Sequence, residues 1–297
     1  MKIGLIDVDG HNFPNLALMK ISAWHKAQGD TVEWFFPMSH YDRVYMSKVF
    51  DFTPDFETVI NADEVINGGT GYDLKNKLPA EIEKICPDYS LYPQFKQAYG
   101  FLTRGCPRGC KFCVVGRKEG LKSCKVADLG EFWKGQKEIV INDPNLLACE
   151  DRISLLQQLI DSKAWIDINQ GMDIRFMDEE AAYMVNQLKL KMLHFAWDDM
   201  KQSEIIIKNL TKFKQGTEFD FRRLRVYVLT NFDTTEEQDL YRIYKLRELG
   251  YDPYLMIFDK QHAPKRLRKM QRWVNNKFIF RSGQAETFED YLKGVTK

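Results

Sequence analysis

Short apolar runs separated by amphipathic stretches characterise the first third of the chain. KIGLIDV (2–8) and TVEWFF (31–36) have the pattern of strands, and PNLALMKISAWHKAQG (14–29) between them has apolar residues at helical spacing and ends in glycine. VYMSKVF, TVIN and EVINGG follow as further short apolar runs. This alternation predicts an α/β fold that begins with a doubly wound parallel sheet, over residues 1–95.

A second series of strands and helices starts near residue 99, after a proline-containing crossing segment at 78–100. The predicted strands are YGFLTR, EIVINDP, WIDINQ, LHFAW, RVYVLTN and DPYLMIF, and helical stretches such as DRISLLQQLIDSKA and TTEEQDLYRIYKLRELG lie between them. Six strands are too few for an eight-fold barrel. We therefore expect a partial (β/α)6 TIM-like barrel over residues 96–262.

Composition limits the class of protein. The 297 residues are 44% hydrophobic and 29% charged, and no apolar run is long enough for a membrane helix. The start, MKIGLIDVDG, lacks the basic and apolar regions of a signal peptide. We expect a cytoplasmic protein without a membrane partner. In that compartment its six cysteines argue against a disulfide framework.

The net charge of +1 hides an uneven distribution. Residues 1–100 carry 9 basic and 14 acidic side chains, whereas residues 260–297 carry 10 basic and 3 acidic. The segment 263–297 therefore forms a basic, aromatic extension, predicted as a helix followed by a strand. It either contacts nucleic acid through phosphates and bases or closes the barrel with its aromatic rings inward. Its basic and aromatic residues include Lys265, Arg266, Arg268, Lys269, Arg272, Trp273, Phe278, Phe280 and Arg281.

The segment RGCPRGCKFCVVGR (104–117) places Cys106, Cys110 and Cys113 at the spacing C-x3-C-x2-C. A structural zinc site has four ligands, often as two separated pairs, and bacterial ferredoxin spacing supplies a fourth thiolate. Three thiolates from one loop hold three corners of a 4Fe-4S cluster and leave one iron open. An open iron is available for chemistry.

The motif C-x3-C-x-aromatic-C, here Cys106, Cys110, Phe112 and Cys113, resembles the signature of the radical S-adenosylmethionine superfamily. The resemblance implies that S-adenosylmethionine binds the open iron. It also implies reductive cleavage to methionine and a 5′-deoxyadenosyl radical, which abstracts a hydrogen atom from a substrate. An electron donor such as flavodoxin or ferredoxin is implied as a partner, and the substrate is unknown.

Other residues of the loop suit such a cluster. Gly105 and Gly109 can adopt positive φ and bring backbone N–H groups near sulfur. The basic residues Arg104, Arg108, Lys111 and Arg117 either offset thiolate charge or lie on a solvated surface. Cys86, Cys124 and Cys149 show no auxiliary-cluster spacing, and we interpret them as core or surface thiols.

Polar residues end four successive predicted barrel strands, where the ligand of a parallel barrel binds. They are Asn142, Asp143, Asn145, Gln170, Asp173, Arg175, Asp198, Asp199, Thr230 and Asn231. We expect Asn142, Asp143, Gln170, Arg175, Asp198, Thr230 and Asn231, together with Phe112, to bind the cofactor.

The resemblance assigns roles to some of these residues. INDPN (141–145) stands where related proteins have a G-G-E-like element that contacts the methionine amino group, so Asn142 and Asp143 are substitutes by position only. Arg175 in GMDIRF would meet the cofactor carboxylate, and Asp198 in AWDD would contact ribose. A structural ion pair or helix cap is the alternative for each residue.

The order of a Rossmann-like domain followed by a three-cysteine barrel resembles the class of this superfamily with a cobalamin-binding domain. His11, with Asp9, partly matches the D-x-H-x-x-G loop whose histidine ligates cobalt, but Pro14 replaces the glycine. The glycines of VINGGTGY (65–72) would let the tail of a ligand approach the backbone. The alternative is a lid domain without cobalamin.

Three functions therefore remain. The first is a radical S-adenosylmethionine enzyme, and the second is a cobalamin-dependent methyltransferase of the same superfamily. The third is a module that holds an iron–sulfur cluster or zinc and grips nucleic acid through residues 260–297.

Overall fold

The computed structural model describes residues 1–10, 13–281 and 285–294, which contain two parallel sheets and a short antiparallel pair. The first sheet is formed by β1 (Lys2–Asp7), β2 (Thr31–Trp34), β3 (Tyr41–Ser47) and β4 (Ala62–Gly68). Its strands are all parallel, in the order β2-β1-β3-β4. The α/β pattern predicted for this part of the chain is thus present.

Helix α1 (Leu16–Ala27) connects β1 to β2 and confirms the helix predicted there. Its N-cap is Asn15, whose side-chain oxygen accepts a hydrogen bond from Leu18 N at 3.2 Å. The Asn15 amide also donates to Ser47 Oγ at 2.9 Å. One side chain therefore caps α1 and fixes its start against the end of β3.

Helices around the first sheet are fewer than the alternation predicts. Residues 35–40 join β2 to β3 and residues 48–61 join β3 to β4, and neither connection contains a helix. The TVIN run lies in the second connection. Half-buried Phe56 of this loop packs against buried Tyr41 and Val44. The loop therefore covers apolar side chains of the sheet where a helix was expected.

The second sheet contains six parallel strands in sequence order from one edge to the other, and all six were predicted. The remaining strands of the chain are β5 (Ala98–Gly100), β6 (Thr103–Arg104), β7 (Cys124–Lys125), β8 (Glu138–Ile141), β9 (Trp165–Ile168), β10 (Leu190–Ala196), β11 (Leu224–Thr230) and β12 (Asp252–Ile257). β6 and β7 form the antiparallel pair, and the other six form the sheet in the order β12-β11-β10-β9-β8-β5.

Helices follow most strands of this sheet. The remaining helices are α2 (Ala80–Glu83), α3 (Val115–Glu119), α4 (Arg152–Ser162), α5 (Glu179–Gln187), α6 (Ser203–Gln215), α7 (Glu236–Glu248), α8 (Lys265–Asn275), α9 (Lys277–Arg281) and α10 (Phe288–Gly294). None of the helices in the described ranges is both long and apolar enough to cross a membrane.

The two faces of the second sheet differ in polarity. On one face Ile168, Phe195 and Val226 are fully buried, in a single cluster with apolar side chains of α4 to α7. Successive side chains of a strand point to opposite faces. Asp167 and His194, which alternate with these residues, therefore lie on the face turned away from the helices.

Arg242 on α7 is fully buried and holds the ends of two strands together. Its guanidinium donates hydrogen bonds to Trp197 O at 2.6 Å and Leu229 O at 2.9 Å, and it pairs with Asp239 on the same helix. A buried guanidinium is tolerated when a carboxylate balances its charge in this way, although Arg242 Nε is buried without a hydrogen-bond partner. The C-terminal ends of β10 and β11 are thereby fixed.

Two tyrosines in the crossing segment contact both halves of the chain. Tyr92 donates to Asp7 Oδ2 at the end of β1, and Tyr89 donates to Phe132 O near the second sheet, each at 2.7 Å. The buried apolar side chains form two clusters before residue 96 and one large cluster from Ala98 onward.

The C-terminal segment is helical within its described residues, so the strand predicted there is wrong. The run that suggested it, KFIFR, forms α9. Its Phe280 is buried with the ring centroid 5.0 Å from that of Trp273 on α8. Lys265, Lys269 and the other basic residues of α8 are exposed. Helix packing of the aromatic rings thus overrides the strand-like composition.

Candidate functional site

The cysteine loop, residues 105–123, connects the paired strands β6 and β7. Thr103 pairs with Lys125 and Arg104 with Cys124, so both ends of the loop meet. Gly105 has φ of +88°, and a Cβ placed there would lie 2.1 Å from Lys122 O. Only glycine fits this position.

Asp143 anchors the start of the loop. It is fully buried, and its carboxylate accepts hydrogen bonds from Leu102 N at 2.7 Å and from Thr103 N and Oγ1 at 2.8 and 2.7 Å. Burial raises the pKa of Asp143 to about 7, against the effect of these donors. Both carboxylate oxygens are occupied inside the protein. Asp143 therefore positions the cysteine loop and does not present a free oxygen for the predicted contact with a cofactor.

The three loop thiols lie near one another. Cys110 is exposed, whereas Cys106 and Cys113 are partly buried. Partial desolvation raises the pKa of the Cys110 thiol although the residue is exposed, and the Cys113 and Cys106 sulfurs raise it further. Burial likewise raises the pKa of the Cys113 thiol, and Cys106 adds to the effect. Deprotonation of Cys110 and Cys113 is therefore favoured by a compensating positive charge, such as a metal.

Asn145 supports the first cysteine from the β8 end. Its side-chain nitrogen donates to Cys106 Sγ at 3.5 Å, and its backbone carbonyl accepts from Ser123 Oγ at 2.9 Å. The residue is 2% exposed, and its Oδ1 is buried without a hydrogen-bond partner. The sequence places Asn145 at a strand end, but nothing in the sequence shows its contact with Cys106.

A shared carboxylate ties the cysteine loop to the segment after β9. Asp173 accepts a hydrogen bond from Arg108 Nε at 2.6 Å and two from Arg175, from Nε at 2.6 Å and Nη2 at 3.0 Å. These guanidinium groups hold the pKa of Asp173 below its usual value despite its burial. The bidentate pairing predicted for Arg175 with a cofactor carboxylate is thus made with Asp173.

The charge of Asp198 affects two of these thiols. The Oδ1 atom of Asp198 accepts from Leu229 N at 2.9 Å. Burial raises the pKa of Asp198, and its charge in turn raises the pKa values of Cys110 and Cys113. Arg175 opposes this by lowering the pKa of Cys110. The charges of Asp198 and Arg175 thus act on thiols of the cysteine loop, and the predicted contacts of these two residues with a cofactor stay predictions.

Three aromatic rings span the end of the site. The Phe112 ring meets the Phe232 ring edge to face at 5.6 Å, and Phe232 meets Phe258 at 5.0 Å. Phe232 and Phe258 follow β11 and β12 and are each 41% exposed. Phe112 was predicted near the cofactor, but its two partners were missed because their runs carry no recognisable motif.

The other predicted cofactor-binding residues have mixed positions. Asn142 Oδ1 accepts from Asn169 Nδ2 at 3.4 Å, and Gln170 is exposed. Thr230 is fully buried and donates to Met256 O at 3.3 Å. Its side chain lies in the core, which contradicts the predicted contact with a cofactor. Asn231, with φ of +63°, donates to Phe258 O at 2.8 Å. Its side chain therefore holds a turn.

The basic residues of the loop divide into two groups. Arg104 pairs with Glu119 at 2.6 Å, and Arg108 pairs with Asp173. Lys111 and Arg117 are exposed and make no ion pair within the described part of the chain. Arg104 and Arg108 therefore stabilise the loop through ion pairs. The positive charges of Lys111 and Arg117 are not neutralised by such pairs within the described residues.

The glycines at the end of β4 are explained by contacts within the protein. A Cβ on Gly69 would lie 2.2 Å from Lys48 O, and one on Gly71 would lie 2.6 Å from Phe50 O. The backbone of the loop after β3 therefore fills the space that the cobalamin hypothesis gives to the tail of a ligand. Asp9 accepts from Thr53 Oγ1 at 2.7 Å and holds this loop. His11, the predicted cobalt ligand, lies outside the described residues.

The remaining cysteines fit the interpretation as core or surface thiols. Cys149 is buried, Cys124 is exposed and Cys86 is partly buried. Within the ranges that the structure describes, no three His, Cys, Asp or Glu side chains are grouped closely enough to hold a metal ion in this conformation. No protein-family model matches the chain, and no curated protein is significantly similar to it.

Proposed function

We propose that the chain is a radical S-adenosylmethionine enzyme that holds a 4Fe-4S cluster through Cys106, Cys110 and Cys113. The observation that carries the proposal is a single loop, closed at its base by the β6–β7 pairing, that carries three thiols at the spacing C-x3-C-x2-C. When bound, the reduced cluster would supply the electron that cleaves S-adenosylmethionine to methionine and a 5′-deoxyadenosyl radical, which abstracts hydrogen from the substrate.

The donor set fits an iron–sulfur cluster with an open iron. The loop offers three sulfur ligands and no fourth, and thiolates are the ligands of such clusters. The thiols are grouped too loosely to hold a metal ion as they stand, so rotation about their side-chain bonds must accompany binding. Asn145 Nδ2 already donates to Cys106 Sγ, and such hydrogen bonds to sulfur tune the potential of a cluster.

A partial TIM-like barrel is the fold that best suits the second sheet. Six parallel strands in sequence order, with helices on one face, are the arrangement of a barrel wall. The Phe112–Phe232 contact joins loops that follow opposite sides of this sheet, which favours a curved wall. For the first sheet we propose a Rossmann-like lid with few helices.

Asp198 and Arg175 would orient S-adenosylmethionine beside the cysteines. Asp198 uses one carboxylate oxygen for Leu229 N, which leaves the other for a ribose hydroxyl. Arg175 gives two donors to Asp173 and keeps its remaining N–H groups for the cofactor carboxylate. Both side chains are held by contacts within the protein and are therefore pre-organised.

The first test is anaerobic reconstitution with iron and sulfide. The wild-type chain should gain four irons and the visible absorption of a 4Fe-4S cluster. The C106A/C110A/C113A variant should gain neither, whereas C124A, which removes an exposed thiol outside the loop, should match the wild type. Retention of iron and sulfide by the triple variant would refute the proposal.

The second test adds S-adenosylmethionine and dithionite to the reconstituted protein. 5′-Deoxyadenosine should appear by chromatography even without substrate. Asp198→Asn should weaken binding of S-adenosylmethionine while the iron content stays unchanged. A fully reduced cluster that releases no 5′-deoxyadenosine would exclude the radical mechanism.

A further inference from the structure

The face of the second sheet turned away from the helices carries a connected group of polar and aromatic side chains. We name it the inner-face cluster. Its members are Asp167, His194, Arg225, Tyr227 and Tyr254, on β9, β10, β11 and β12. Each alternates along its strand with residues buried against the helices.

The cluster is held together by ring contacts. His194 stacks on Tyr227 with centroids 4.9 Å apart and planes 8° apart, and Tyr227 meets Tyr254 edge to face at 5.8 Å. The Arg225 guanidinium lies 5.3 Å from the centre of the Tyr254 ring. Tyr227 and Tyr254 are only partly buried. The cluster thus presents flat aromatic surface that is already rigid.

Two hydrogen-bond acceptors of this cluster are left unused. Asp167 Oδ1 is buried without a hydrogen-bond partner, and its nearest basic atom, His194 Nδ1, lies 3.9 Å away. His194 Nδ1 instead donates to Ile168 O at 2.8 Å, so Nε2 of the neutral ring is an acceptor. No described residue makes a hydrogen bond to that Nε2. A buried carboxylate oxygen without a donor is costly, and a bound N–H group would remove the cost.

The unpaired acceptors favour a ligand that donates hydrogen bonds. Arg225, the cationic member of the cluster, donates through Nε to Asp252 Oδ2 at 3.3 Å, and Lys277 and Arg281 also pair with that carboxylate. A ligand that carries only acceptors would leave Asp167 Oδ1 and His194 Nε2 without a donor.

The cluster lies beneath the proposed cofactor position. Asp198, beside the cysteine thiols, follows His194 by four residues, which is about 13 Å along an extended chain. Residues four apart on a strand share a face, so the cluster and Asp198 lie on the same side of the sheet. We infer that the inner-face cluster binds the substrate through a planar group bearing N–H donors, such as an amidine, a guanidine or an amino-substituted heteroaromatic ring.

The description of this ligand as the substrate rests on the proposed function, but its binding does not. The test is calorimetric titration of the reconstituted full-length chain with benzamidine, a planar N–H donor, and with benzoate, its acceptor counterpart. Benzamidine should bind and benzoate should not. Asp167→Asn should weaken benzamidine binding about tenfold, as expected for loss of a charged partner. Asp161→Asn, an exposed carboxylate change on α4, should have no effect.

His194→Asn is the second variant, because its amide can still donate to Ile168 O but lacks Nε2. It should also weaken benzamidine binding, and it decides the matter if Asp167→Asn does not fold. Equal binding of benzoate, no binding of benzamidine, or unchanged affinity in the variants would overturn the inference. Asp167-dependent binding by a protein that releases no 5′-deoxyadenosine would support the site and reject only the proposed radical chemistry.

Discussion

Gly105 is the residue on which the shape of the cysteine loop depends most directly. Its φ of +88° is disfavoured for any residue with a side chain, at a cost of about 1–2 kcal/mol. A Cβ would also lie 2.1 Å from Lys122 O, far inside the 3.4 Å at which ordinary contact begins. To relieve the clash, the chain at Lys122 must move. The Cys106 N–Gly120 O hydrogen bond of 3.1 Å and the β6–β7 pairing would then be lost.

We therefore expect Gly105→Ala to lower the free energy of unfolding by about 3–4 kcal/mol, of which about 2 kcal/mol comes from two lost hydrogen bonds. Gly135 provides a matched control, since its φ is +89° but a Cβ there meets no atom within 4 Å. Gly135→Ala should cost only the backbone term of about 1–2 kcal/mol. The difference between the variants isolates the contact with Lys122.

The assay is urea unfolding followed by circular dichroism, with iron content after reconstitution as a second measurement. Gly105→Ala should also bind less iron, whereas Gly135→Ala should bind the wild-type amount. If the two variants unfold within about 0.5 kcal/mol of each other, the limit for independent surface effects, the reasoning about Lys122 is refuted.

Three further predictions concern stability. Burial lowers the pKa of His194 to about 4 from 6.5, so its contribution to the free energy of unfolding is present above pH 6.5 and is lost as the pH falls through 4. Relative to His194→Asn, the wild type should lose about 3 kcal/mol of this free energy between pH 6.5 and pH 4, measured by urea unfolding. Arg242→Met should cost about 3–5 kcal/mol because it leaves Asp239 buried and unpaired, and the same assay should show partial recovery when Asp239→Asn is added. Phe280→Ala should lower the thermal midpoint in calorimetry through a loss of about 3–5 kcal/mol, whereas Phe278→Ala, at a 90% exposed ring, should leave it nearly unchanged.

The strands of the second sheet were predictable because their signal is local. Runs such as EIVI and WIDI are short, apolar and flanked by helical periodicity. The strand predicted within KFIFR failed because the same composition serves a helix once Phe280 packs on Trp273. Apolar content indicates that a segment is buried. Whether the segment forms a helix or a strand depends on the element against which it packs.

The orientation of strand-end residues follows from the alternation of side chains along each strand. Thr230 shares its side of β11 with Val226 and Val228, which are fully buried, so alternation places its side chain in the core. Asn231 and Asp198 alternate to the opposite face. Counting from the buried residues of each strand therefore separates strand-end side chains that enter the core from those on the opposite face of the sheet.

The glycines of VINGGTGY show a limit of another kind. Gly69 and Gly71 were interpreted as leaving room for the tail of a ligand, whereas the loop after β3, about twenty residues earlier in sequence, packs closely against both. A glycine indicates that another group approaches the backbone closely. The sequence does not identify that group when it lies many residues away.

The candidate site depends both on local sequence spacing and on contacts between distant segments. Its three thiols lie within eight residues, so their spacing alone indicates shared chemistry. The residues that support them, Asn145 and Asp173, come from loops after β8 and β9, thirty to seventy positions away. Their contacts follow from the order of the sheet, because parallel neighbouring strands end at one edge, next to the loop that β5 leads into. Once the strand order is known, the polar residues at adjacent strand ends are the first candidates to hold a cysteine loop in place.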